Sequence, residues 1–476
     1  MASPVLSVPG DTIVDGSGRP VILRGYNIGG WMNMENFLTG YPGTESQHRR
    51  ALRRVLGAEL YQGFFDEFMT VFFDDADARY LASLGMNSVR IPFNYRHFED
   101  DTRPFELKEE GFALLDRAVG HCQRHGLYAV LDFHALPGAQ NQHWHSDNET
   151  HKAGFWTYRH FQDRAVHLWE ALAGRYRGNV TVAGYNIMNE PADPDGDMIK
   201  PFYDRVVGAV RHADPDHIIF LDGNRYSTDF SAFENLPVYP NTVYTAHDYA
   251  LPGFVYGGPY PGVTNGVFVD RDEVERAFLR RTEFMRSTGT PIWIGEFGPV
   301  FTGDPARDDQ KYQLLRDQLD IYARYGAGWA IWAYKDVGGQ GLVYAAPDSP
   351  WRARIGDVMA KKARLGVDHW GSLDTGIRHI MTPIEETFGK EYPDFDPFPF
   401  GSQSWIMTLV RNILLAEPML DDFGRCFADV SRGETTGELA DSFRLENCVV
   451  RRRLADVLAA SARRPSWRPV ACRSGS

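Results

Sequence analysis

The chain has 476 residues, 43% of them hydrophobic and 13% aromatic, enough apolar material for a sizeable core and too much for a largely disordered chain. Its formal charge of −13, from 63 Asp+Glu against 50 Lys+Arg, lacks the basic footprint of nonspecific nucleic-acid binding and reads as a solubility feature. Four scattered cysteines, Cys122, Cys426, Cys448 and Cys472, form neither a Cys-x-x-Cys pair nor a disulfide framework. The first residues show neither the basic nor the apolar region of a signal peptide, and no apolar run approaches the roughly 20 residues of a membrane span. A cytoplasmic protein is therefore expected, with a processed secreted form as the alternative.

In chain order, residues 11–20 place Asp15-Gly16 between short β-like runs, as in a small hairpin suited to plugging the bottom of a barrel. Strand-like runs follow at Val21–Asn27, Met86–Pro92, Leu127–His134, Val182–Asn189, His217–Asp222, Val243–His247, Pro291–Glu296 and Gly328–Tyr334. Between them lie amphipathic stretches at Asp74–Leu84, Phe112–His125, Phe161–Tyr176, Met198–His212, Arg271–Ser287 and Asp309–Tyr325. The alternation predicts a parallel sheet with helices outside, and eight strands select a (β/α)8 barrel over an open sheet. Long segments rich in Trp, Gly, Asn and His, notably 29–47, 135–158 and 250–268, follow strand ends and are read as functional loops.

Beyond about residue 350 the alternation stops. Residues 351–476 carry 18 Lys+Arg against 17 Asp+Glu, so the acidic excess lies in residues 1–350. Helices are expected at Ser404–Ala416 and Cys448–Ala462, the latter with Arg451, Arg452 and Arg453 on one turn. Residues 1–350 thus read as the catalytic barrel and 351–476 as a helical extension packed on its flank. A substrate-side cap, or a surface for homo-oligomer formation, is the sharper reading of the extension.

Two glutamates carry the chemistry. Glu190, in Asn189-Glu190-Pro191, ends the fourth apolar run, and Glu296, in Ile294-Gly295-Glu296-Phe297-Gly298, ends the seventh. Carboxyls paired at strand ends are the equipment of acid-assisted, nucleophilic cleavage of a glycosidic bond. A structural ion pair or a helix-terminal glutamate is the plainer reading of either residue alone. Four histidines, His134, His143, His145 and His151, suggest a metal, but no recognisable ligand set completes them. The glycines 253, 257, 258, 262 and 266 form no phosphate-binding pattern, so neither cofactor nor metal is expected.

Over roughly residues 10–345 these ordered motifs resemble glycoside hydrolase family 5, the cellulase-like (β/α)8 retaining enzymes. The resemblance implies that Glu190 is the acid/base and Glu296 the nucleophile. It also implies that Arg90 in Ser-Val-Arg-Ile-Pro contacts the nucleophile and that His134 lies near the reacting sugar. Asn189 would bind the sugar's 2-hydroxyl, His247 and Tyr249 would form the sixth-strand pair, and Trp332 would stack beneath the ring. On that view Arg90 keeps Glu296 ionised, and the charge of Glu296 raises the pKa of Glu190. Gly29-Gly30-Trp31-Met32-Asn33-Met34-Glu35 and Pro137-Gly138-Ala139-Gln140-Asn141 are similar to segments of the exo-β-1,3-glucanase branch, which adds Glu35 and Asn141 as residues binding the reacting sugar. Ala333-Tyr334-Lys335-Asp336 and the C-terminal helices depart from that branch.

A retaining β-glycosidase acting on a carbohydrate, exo-acting on a β-linked oligosaccharide or glycoside, is the expected function. An endo-β-glucanase and a hydrolase of glycosides with a hydrophobic aglycone, such as a glycolipid, are the alternatives. A catalytically dead sugar-binding module is disfavoured by the joint presence of both glutamates, Arg90 and Asn189.

Overall fold

The structure is a computed structural model that describes residues 5–254, 258–367, 370, 373–431 and 434–464; Cys472 and Gly257 lie outside the described residues. Eight parallel strands close into a barrel: β1 (Arg24–Asn27), β2 (Ser88–Asn94), β3 (Tyr128–Ala135), β4 (Val182–Asn186), β5 (Ile218–Asp222), β6 (Thr242–His247), β7 (Ile292–Glu296) and β8 (Gly328–Ile331). Each pairs with its sequence neighbour, and closure comes from β8 on β1, where Trp329, Ala330 and Ile331 face Arg24, Gly25 and Tyr26.

All eight expected strands are present, with shifted ends. Val21 does not begin β1, because Pro20–Val21 is taken by antiparallel pairing with Ile13–Val14. Leu6 and Ile13 then enter an inner apolar layer with Leu23, Val130, Ala183, Ile218, Phe220, Val243, Trp293 and Ala330, so the hairpin does plug the barrel bottom. Helices Glu109–Arg124, Arg159–Tyr176, Ile199–Ala213, Arg271–Arg281 and Pro305–Arg324 flank the barrel. The β5–β6 connection, however, has only short turns at Asn224–Ser227 and Ser231–Phe233.

A 27-residue helix, Glu45–Val71, has no counterpart in the expected elements. It starts on a capping box in which the Thr44 hydroxyl accepts from the Gln47 amide and the Gln47 side chain accepts from the Thr44 amide. Gly57 breaks it at φ 76°, turning its apolar face so that no single helical stripe runs through the sequence.

The C-terminal segment wraps the barrel from top to bottom. Helix Pro350–Leu365 begins with buried Trp351, whose indole donates to Thr39 O at 2.8 Å and stacks on Phe64. Lys362 on that helix donates to the carbonyls of Asn36, Gly40 and Tyr41 at 3.0, 3.2 and 2.6 Å, clasping the loop after β1. Helix Gly401–Thr408 runs into a π turn at Leu409–Leu414. Cys448–Val450 is a strand on Val343–Ala345, not part of a helix as expected; the last helix is Arg452–Ala462. Arg451 therefore precedes the helix, and donates to Gly341 O and Gly338 O. At the barrel bottom Arg24 Nη1 donates to the carbonyls of Ala462 and Arg464 at 2.9 and 2.8 Å. Among the described residues no helix is long and apolar enough to cross a membrane.

Candidate active site

β2 and β7 bring Arg90 and Glu296 together in the top of the barrel. Arg90 is fully buried and donates through Nη1 to Glu296 Oε1 (2.6 Å) and Asn27 Oδ1 (3.0 Å). Its Nε donates to Asn186 Oδ1 (2.9 Å) and its Nη2 to Asn189 Oδ1 (2.7 Å), and Nη2 forms an ion pair with Asp132 at 3.0 Å. Such saturation is what a buried guanidinium requires, since each unpaired donor would carry its desolvation cost. The second oxygen of Glu296 accepts from the Tyr249 hydroxyl at 3.0 Å. Gly295 precedes the glutamate because a Cβ there would stand 2.5 Å from Thr245 Cγ2 and 3.1 Å from His247 Nε2.

Glu190 follows β4 in a left-handed conformation, φ 47°, unusual for a residue with a Cβ and frequent at functional sites. Two hydrogen bonds hold it: its N–H donates to Asp222 Oδ2 and its carbonyl accepts from Asn141 Nδ2, both at 3.0 Å. The carboxyl lies between two imidazoles, with His247 Nδ1 2.7 Å from Oε1 and His145 Nε2 3.1 Å from Oε2. One carboxylate oxygen of Glu190, one of Glu296 and a ring nitrogen of His247 all lie within 4.8 Å of one another. Among the described residues these three are the set whose ligand atoms lie close enough to share an ion; His134 and His143 each approach His145, with ring centroids 5.8 Å apart, without joining such a set.

This packing sets the ionisation. Burial drives Glu190 upward, but the hydrogen bonds from His145 and His247 prevail and hold it below the ordinary carboxylate range. Burial opposes charge on both imidazoles, yet Glu190 raises His145, and Glu296 with Glu190 raises His247. The expected elevation of Glu190 by Glu296 is thus reversed by the two flanking imidazoles, whose hydrogen bonds favour the carboxylate. Burial, reinforced by the charges of Glu296 and Glu190, pushes Glu35 up to about 8 against the pull of His145. Burial also lifts Asp132 to about 7, although Arg90 works to lower it.

The carboxyls open into a cavity of about 690 Å³. Glu35, from the loop after β1, accepts from Trp144 Nε1 at 3.1 Å and closes one side. Trp332 stacks on His134 with centroids 5.1 Å apart. Its indole packs so tightly on Gly29 that a Cβ there would lie 2.6 Å from Cζ2. Phe37, Phe254, Trp370, Phe400 and Met407 give the cavity an apolar lining.

Of the expected residues, Glu35, His134, Glu190, His247, Tyr249, Glu296 and Trp332 line this cavity. Arg90, Asn141 and Asn189 stand behind the wall as fully buried supports instead of at the subsite surface, because their polar atoms are engaged by Glu296, Glu190, His145 and one another. Lys335, part of the divergent Ala-Tyr-Lys-Asp string, is remote from the site: it pairs with Asp77 at 2.9 Å and donates to Phe72 O and Phe443 O. The sequence reading missed His145 as a partner of Glu190, though it stood in the histidine cluster. It also missed Asp132, which receives His134 Nδ1 at 2.7 Å, and Trp370, beyond the barrel.

The family model for cellulase (glycosyl hydrolase family 5) matches residues 62–338. A β-xylosidase of Phanerodontia chrysosporium is 45% identical over 473 residues, covering 96% of this chain and 98% of that protein. The chain belongs to glycosyl hydrolase family 5. A probable glucan 1,3-beta-glucosidase A of Neosartorya fischeri is 27% identical over 67% of this chain and 84% of its own. The crystal structure of an endogalactoceramidase shares the fold, with a TM-score of 0.51 at 22% identity over 70% of this chain and 75% of that one. This family 5 member is a glycoside hydrolase, a β-glycosidase with a carbohydrate substrate, and a retaining mechanism is general to its family.

Proposed function

We propose that the enzyme removes single sugars from the non-reducing end of a β-glycoside by double displacement, with Glu296 as nucleophile and Glu190 as acid/base. The observation that carries this reading is the approach of a Glu190 and a Glu296 carboxylate oxygen within 4.8 Å, the close spacing of retaining enzymes rather than the wider gap that admits water. Arg90 and Tyr249 each hold one oxygen of Glu296, keeping a lone pair aimed at the anomeric carbon. Attack by Glu296 forms the glycosyl-enzyme as Glu190 gives a proton to the departing oxygen. Water then attacks while Glu190 takes a proton back. Glu35, neutral below about 8, would donate to a hydroxyl of the terminal sugar, and its bond to Trp144 favours a blocked cleft and exo-action.

The apolar wall of Phe37, Phe254, Trp370, Phe400 and Met407 supports a second reading for the leaving group, a hydrophobic aglycone. In this reading residues 1–350 carry the chemistry and 351–476 supply the aglycone side. A screen of aryl β-glycosides of glucose, mannose, galactose, xylose and arabinose tests the sugar, with β-xyloside the first candidate from the most extended relative described above. Proton NMR showing the β-anomer as first product supports retention, and single residues released from one end of a labelled oligosaccharide support exo-action. The α-anomer or random internal cuts would reject those respective assignments.

A further inference from the structure

His145 Nε2 has two polar neighbours that it cannot serve at the same time. Glu190 Oε2 lies 3.1 Å away and Asn141 Nδ2 lies 2.8 Å away. The Asn141 amide is oriented by its other contacts: Oδ1 accepts from the His143 N–H at 3.0 Å, and Nδ2 donates to the Glu190 carbonyl at 3.0 Å. Its remaining N–H therefore points at the imidazole. When Nε2 carries hydrogen, it donates to Glu190 and the Asn141 contact is unmade. When Nε2 is bare, its lone pair takes the Asn141 N–H.

We propose that His145 stores the proton that Glu190 delivers to the departing oxygen, and that Asn141 stabilises the imidazole once the proton has left. The inference rests on the reading of Glu190 as acid/base and makes His145 a positioning residue acting through it. In the first half-reaction the Nε2–H bond breaks as Oε2–H forms. That O–H bond then breaks as the departing oxygen takes the proton, while the C1–O bond breaks and Glu296 bonds to C1. In the second half, water displaces Glu296 from C1 and yields a proton to Glu190, from which it returns to Nε2.

His247 is unsuited to the same task. Its Nδ1 lies 2.7 Å from Glu190 and 3.6 Å from Glu296, and its Nε2 faces Asp222 at 3.6 Å, so carboxylates on both edges retain its proton. The groups facing His145 are His134 on β3 and His143 on its own loop, with ring centroids at 5.8 Å each, Tyr226 after β5 at 6.1 Å, and the charges of Glu190, Glu35 and Glu296.

His145→Gln, Asn141→Leu and Glu190→Gln are compared with the intact enzyme on phenyl and 2,4-dinitrophenyl β-glucosides and β-xylosides, across pH. The dinitrophenolate needs little protonation to depart, which makes the ratio of the two rates report acid catalysis and cancel general losses of folding. The expected result for His145→Gln is a kcat/KM loss on the phenyl glycoside about 10- to 100-fold greater than on the dinitrophenyl glycoside. The alkaline limb of kcat/KM should move toward acid by about one pH unit, because the coupled pair has lost one proton site. Asn141→Leu should shift both measures in the same direction, by less. Equal losses on the two substrates with an unmoved alkaline limb overturn the inference. If Glu190→Gln itself shows no preference between leaving groups, the acid/base reading has failed; a preference there but not in His145→Gln removes only the proton store.

Discussion

Arg90 Nη1 stands 2.6 Å from Glu296 Oε1 in a fully buried position, and the same guanidinium bonds Asn27, Asn186 and Asn189. One side chain thus fixes the angle of the proposed nucleophile and ties four barrel strands, or the loops that follow them, into one network. Arg90→Met would leave Glu296 and Asp132 as buried carboxylates without their cation. The expected outcome is a loss of about 3–5 kcal/mol in stability by chemical denaturation, together with loss of activity. Arg90→Lys should restore part of the stability and little of the activity, since an ammonium cannot match the planar fork.

Glu296→Gln keeps the shape and the Tyr249 contact while removing the proposed nucleophilic oxygen. Turnover should fall by several orders of magnitude with the thermal midpoint near that of the intact enzyme. Undiminished turnover by the purified variant would sink the assignment.

Glu35 offers a test with a defined sign. Its folded pKa of about 8 exceeds the ordinary 4.5, so between those values the folded state binds a proton that the unfolded state has released. The resulting contribution is fully present below about 4.5 and is lost as pH rises toward 8. The melting temperature of the intact enzyme should therefore fall more steeply from pH 5 to pH 8 than that of Glu35→Gln, by about one degree for each kcal/mol involved. Parallel slopes would show that Glu35 is already ionised in the fold.

The legible parts of this chain were those where chemistry and periodicity coincide locally. Glu190 and Glu296 were readable because a charged residue ending a buried apolar run needs a partner or a task. The barrel was readable because all eight strands are short apolar runs separated, except between β5 and β6, by helical stretches. Helix Glu45–Val71 was hidden because Gly57 turns its buried face partway along. His145 was hidden because its partner lies 45 residues away, across the loop after β4, and spacing alone gave only a crowd of imidazoles. Trp370 was hidden for a related reason, since nothing in the helical extension indicated that the chain returns to the mouth of the barrel.

Lys362 shows why that return matters. Its ammonium, buried beneath the loop after β1, caps three carbonyls within six residues, 36–41, of the loop that carries Glu35. Lys362→Met would strand the Gly40 and Tyr41 carbonyls at a cost of about 1–3 kcal/mol each, less whatever relaxation and water recover, while Asn36 O keeps the Gly40 N–H at 3.0 Å. The expected signature is a lowered thermal midpoint and a raised KM for the sugar, because Glu35 loses its register. An unchanged KM with lowered stability would separate the clasp from substrate binding.

Trp370 supplies the last test, of how the extension acts on catalysis. Its indole N–H donates to Gln340 Oε1 at 2.7 Å, its ring stacks on Phe254 with centroids 5.4 Å apart, and it meets Tyr249 edge-on at 4.8 Å. Those contacts give it two routes of influence: as a platform for an apolar leaving group, or through Tyr249 on Glu296. Trp370→Ala should raise KM for an octyl glycoside about tenfold, the scale of one lost aromatic contact, with a much smaller change for a methyl glycoside. The platform route predicts that this gap closes in Trp370→Phe, which retains a ring. A uniform fall in kcat across both glycosides would instead assign Trp370 to holding Tyr249 against Glu296, and would remove the support for a hydrophobic aglycone.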